Sequence, residues 1–70
     1  MDYKELKLNI ARAGLTIKEF AELIGSHPNS ITNLKQREAV PKNIAIISVL
    51  MAELARNKID IKSLLKDSYE

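Results

Sequence analysis

The stretch Gly25-Ser26-His27-Pro28 constrains this chain more than any other. Apolar residues recur at helical spacing before it, at Ile17, Phe20, Ala21 and Ile24, and after it, at Ile31 and Leu34. Gly ends helices and Pro begins them. Two short helices joined by so tight a corner cannot lie antiparallel with much contact. They must cross at a steep angle.

The residues around the corner suit that geometry. Ala21 is small, so the helices can approach closely. Gly25 permits the left-handed backbone of a sharp helix exit. Ile31 is β-branched and fills the wedge, and Leu34 ties the second helix to the rest. Upstream, Thr16 and Glu19 have the spacing of a capping box, which fixes where the first of the two helices starts.

The remaining chain reads as three more helices and no strand. Helix 1 is predicted from Asp2 to Ala13, with Tyr3, Leu6, Ile10 and Ala13 on one side and Gly14 as its stop. Helix 2 follows Thr16 and ends at Gly25. Helix 3 runs from Pro28 to near Gln36, and "REAVP" forms a loop to Pro41. Helix 4 spans Lys42 to Asn57. Between 44 and 55 only Ser48 and Glu53 are polar, so this helix is either central in a bundle or covered by a partner. A short helix 5 starts at an Asp60 cap and packs Ile61, Leu64 and Leu65 back, joined by Ile59. The end, from about residue 66, is expected to fray.

With 70 residues the chain makes one domain at most, here 1–70. It has no Cys and one His, so no disulfide or zinc site is predicted; helix packing or oligomerisation must stabilise it. The apolar run at 44–52 is far short of the ~20 residues that span a bilayer. Asp2 and Glu5 among the first lysines argue against a signal peptide. A soluble cytoplasmic protein is expected, with no membrane, cofactor or small-molecule partner. The scattered carboxylates offer no nucleophile–base pair, so no catalytic residue and no enzyme is predicted. The net charge is +2, and the largest local excess lies in 27–43, from Lys35, Arg37 and Lys42 against Glu38. A mildly basic patch suits a polyanion.

Residues 15–41, "LTIKEFAELIGSHPNSITNLKQREAVP", resemble the DNA-binding domain of lambdoid phage Cro and repressor proteins, within the XRE-type transcriptional regulators. The helix-turn-helix of that family has a small residue, Gly four positions on, and Ile or Val six further. Ala21, Gly25 and Ile31 match without a gap, and Phe20, Ile24 and Leu34 match its apolar positions. Ser26 stands where the family usually has Val or Ile. Lys35 stands where a Glu commonly pairs with an Arg of helix 1, so Arg12 needs another partner. Arg37 replaces a loop Gly, and helix 4 is longer by about one turn.

The resemblance implies an all-α, compact five-helix lambda-repressor-like fold with its helix-turn-helix core at 16–36. It also implies a sequence-specific regulator of double-stranded DNA, a small dimeric repressor of phage, prophage or plasmid type. The expected base-reading positions are Pro28, Asn29, Thr32, Asn33 and Gln36, since helix 3 would enter the major groove. Asn and Gln can bond adenine, and Thr offers a methyl to thymine. Expected phosphate contacts are Thr16 and Ile17 through the helix 2 N-terminus, with Ser30, Lys35, Arg37, Lys42 and Asn43 flanking. His27 caps helix 3 or meets a phosphate. The bland alternative for all of these is a solvated helix face. A homodimer through helix 4 and helix 5 is the expected assembly, against the alternative that their apolar residues are all core. The competing function is an antitoxin-like or other protein-binding module on the same fold.

Overall fold

The computed structural model describes residues 1–69, and the side chains of Asp67 and Tyr69 lie outside that description. It is an all-α bundle of five helices: α1 (Tyr3–Arg12), α2 (Ile17–Leu23), α3 (Pro28–Thr32), α4 (Lys42–Arg56) and α5 (Ile61–Tyr69). A 3₁₀ turn, Asn33–Gln36, continues α3.

Local chemistry sets the boundaries. Asp2 caps α1 by accepting from the Glu5 N–H at 2.9 Å. At the far end of α1, the Leu15 N–H reaches the Ile10 carbonyl and the Gly14 N–H the Ala11 carbonyl. That pair of bonds is the Schellman stop, in which a left-handed residue lets the chain fold back on the last turn. The same pair ends α2, from Ser26 to Ala21 and Gly25 to Glu22, and α4, from Ile59 to Leu54 and Lys58 to Ala55. Gly supplies the positive φ at 14 and 25, but Lys58 supplies it for α4, at φ 62°.

The core gathers Leu6 and Ile10 of α1, Phe20 and Ala21 of α2, Ile31 and Leu34 around the corner, Met51 of α4 and Ile61 of α5. Phe20, Leu6 and Ile31 are fully buried. Helices α1 and α4 lie alongside each other in the same direction. The Met1 carbonyl accepts from the Val40 N–H, just ahead of α4, while Arg12 and Arg56 share a surface groove at the other end.

One expectation about the C-terminal half changes. Helix α5 spans Ile61–Tyr69, and Glu70 lies outside the described residues. Leu64 and Ile59, expected to pack back, are exposed, because the α5 stripe facing the core is Ile61 and Leu65. The apolar surface of α4 divides: Ser48 and Met51 are buried, while Ile46, Val49 and Leu50 face outward. Among the described residues no helix is long and apolar enough to cross a membrane.

Candidate functional site

The corner between α2 and α3 is built as its residue types predict. Ala21 is fully buried. Gly25 has φ +75°, and a Cβ there would meet nothing within 4 Å. The need for Gly is therefore conformational rather than steric. Ser26, half-buried, gives the stop its hydrogen bond through its backbone N–H.

His27 is the N-cap of α3. Its Nδ1 accepts from the Asn29 N–H at 3.1 Å, which assigns it the capping role. Pro28 follows at the first helical position, where its missing N–H removes no bond. Ile31 and Leu34 hold the inner side of the segment in the core. Asn29, Ser30, Asn33, Lys35, Gln36 and Arg37 are exposed on the outer side, and Pro28 and Thr32 are half-exposed.

The turn after Thr32 alters this surface. Helix 3 was expected to run as one helix to Gln36, but at Asn33 it tightens to 3₁₀ geometry. In that geometry residues three apart eclipse one another. Gln36 therefore lies in line with Asn33, which in turn follows Asn29 one α-helical turn earlier. The three amides make one row of roughly 12 Å along the segment, from a rise of about 1.5 Å per α-helical residue and about 2.0 Å per 3₁₀ residue. Thr32 flanks the row. Its hydroxyl donates to the Pro28 carbonyl at 3.2 Å, which occupies its donor.

At the start of α2 the capping box forms between Thr16 and Glu19. Thr16 Oγ1 accepts from the Glu19 N–H at 3.1 Å, and the Thr16 N–H donates to Glu19 Oε1 at 3.0 Å. The Thr16 N–H is thus engaged by the Glu19 carboxylate. Glu19 also pairs with Lys62 of α5. The Lys62 hydrogen bond, then the Thr16 backbone, hold the Glu19 carboxyl below its ordinary pKa, so it stays ionised. Ile17 is half-buried against the core, leaving only its backbone N–H as a donor. Lys18 is exposed in the first turn of α2 and adds a cation at that end.

Lys35 and Arg37 stand exposed beside the amide row in sequence. Lys42 and Asn43 are exposed in the first turn of α4; Lys42 lies one turn before Ile46 and so shares the outward stripe of that helix. Arg12 finds its replacement partner within α1: its Nη1 donates to Asn9 Oδ1 at 3.5 Å. Among the described residues, no three His, Cys, Asp or Glu side chains are placed to hold a metal ion.

Comparison with known protein families, curated proteins and solved structures finds no match to this chain.

Proposed function

We propose that this chain is a sequence-specific double-stranded DNA-binding regulator of lambda-repressor-like fold. On this reading the segment from Pro28 to Gln36 enters the major groove, and the chain acts as a small dimeric repressor by occupying an operator. The observation that carries the reading is the exposed row Asn29, Asn33 and Gln36, presented opposite the buried Ile31 and Leu34. Amides can bond the N6 and N7 edge of adenine in two-point fashion. A row of roughly 12 Å covers three to four base pairs at about 3.4 Å each.

Lys35, Arg37 and Lys18 supply charge for backbone phosphates, which set register rather than read sequence. On this reading Pro28 and the Thr32 methyl pack on bases, since neither offers a free donor. One such row reads few bases, so two copies on an inverted repeat are needed for useful specificity.

A titration of the ¹⁵N-labelled chain with a mixed-sequence duplex tests this reading. Amide shifts should concentrate at residues 28–37 and the first turn of α2, and weaken steeply with salt. Shifts concentrated along the α1–α4 groove instead would contradict it.

A further inference from the structure

Helix α4 turns one stripe outward. Lys42, Ile46, Val49 and Glu53 follow at steps of three and four, with Leu50 beside them, and all are exposed. Ile46 is 48% exposed, Val49 49% and Leu50 58%. The opposite side of the helix carries Ser48 and Met51 into the core. Leu8 of α1, also exposed, borders the stripe, since it shares a surface groove with Val49. Large exposed apolar side chains gathered in one place and rimmed by charge mark an association surface.

We propose that this stripe binds a second copy of the same chain, with the two α4 helices antiparallel across a two-fold axis that crosses the stripe beside Val49, at the level of residue 48 along the helix. Lys42 of each copy then faces Glu53 of the other, and Ile46 faces Leu50. The charges select this arrangement. The stripe carries a cation at its N-terminal end and a carboxylate near its C-terminal end, so a two-fold axis that exchanges the ends forms the Lys42–Glu53 pair twice. Parallel helices would set Lys42 against Lys42 and Glu53 against Glu53, and like charges oppose association. Crossing α1 of one copy over α4 of the other, antiparallel, would bring Glu5 toward Glu53 and Arg12 toward Lys42.

The register agrees from two directions. The midpoint between Lys42 and Glu53 and the midpoint between Ile46 and Leu50 fall within one residue of each other along the helix. Glu53 already accepts from Arg56 at 2.6 Å, but a carboxylate has lone pairs for a second cation. One helix stripe is smaller than the ~800 Å² per partner of a standard interface, so the dimer is weak in isolation. This deepens the two-copy reading above and moves Lys42 from the phosphates to the interface.

Sedimentation equilibrium of the whole chain without DNA, from about 10 µM to about 1 mM, tests it. The wild type should show a concentration-dependent dimer. Lys42→Glu and Glu53→Lys should each weaken it by about tenfold, and the double reversal should restore it to within about twofold. Concentration-dependent shifts at Ile46, Val49 and Leu50 in the wild type give a second readout that needs no variant. A chain that stays monomeric, or reversals that leave the dimer unchanged or fail to rescue each other, would overturn the proposal. A dimer that selects no DNA site would overturn only the DNA reading, and a monomer that selects one would overturn only this.

Discussion

Asn9 and Ser48, 39 residues apart, join α1 to α4 inside the protein: Asn9 Nδ2 donates to Ser48 Oγ at 3.4 Å. Ser48 is fully buried, and its hydroxyl donates in turn to the Ala45 carbonyl at 2.8 Å. Asn9 Oδ1 accepts from Arg12 at the surface. A polar path thus runs from the core to the edge of the bundle and fixes how α1 seats on α4.

Removing only one partner leaves a buried amide without an acceptor. Ser48→Ala should destabilise by about 1–2 kcal/mol. The double change Asn9→Leu/Ser48→Ala should recover most of that, because no polar group is then stranded. Urea denaturation of the wild type and the two variants measures both quantities.

Lys58 holds a left-handed conformation that an L side chain adopts at a cost of roughly 1–2 kcal/mol. Lys58→Gly should therefore raise stability by about 1 kcal/mol once the greater freedom of unfolded Gly is set against it. Lys58→Ala should give no such gain. Thermal unfolding separates them, with a shift of roughly 4–8 °C per kcal/mol for a domain of this size.

Acid should weaken the fold. Lys62 lowers the Glu19 pKa, Arg56 that of Glu53 and the Ser63 backbone N–H that of Asp60. A carboxyl with a lowered folded-state pKa stabilises fully above its unfolded value, and the effect is lost as pH falls through the folded value. Stability should thus decline from about pH 4.5 downward. In Glu19→Gln that decline should be shallower, while stability at pH 7 is lower. Urea midpoints measured from pH 7 to pH 3 check the slope.

The features legible in the sequence are the local ones. The Thr16–Glu19 box, the Gly25 exit and the Pro28 start depend on residues within a few positions, and each forms as its chemistry requires. The stop after α4 falls near Asn57 without a Gly to mark it, and Lys58 takes the left-handed role that no residue type announces. The α4 face is ambiguous in the sequence because both sides are apolar; packing, with Asn9 of α1 bonded to Ser48, turns Ser48 in and Leu50 out. The same holds at the candidate site. The exposed residues of 28–36 follow from Ile31 and Leu34 being buried, but the tightening at Asn33 that aligns Gln36 with it carries no local signal. The engagement of the Thr16 N–H was implicit in the capping box itself, which uses that donor.

Asn33 lies mid-row between Asn29 and Gln36. If it reads a base, Asn33→Ala should cost about 1–3 kcal/mol at one base position and relax preference there alone. Lys35→Ala should instead weaken binding to all sequences alike and flatten the salt dependence. Affinities on a panel of single-base operator variants distinguish the two.

Selection of bound sites from a random duplex pool at about 0.15 M salt tests the central claim most directly. The account predicts an enriched inverted repeat with half-site centres about 10 base pairs apart, or a multiple of that turn. Binding that is weak, salt-sensitive and without any enriched sequence would contradict it.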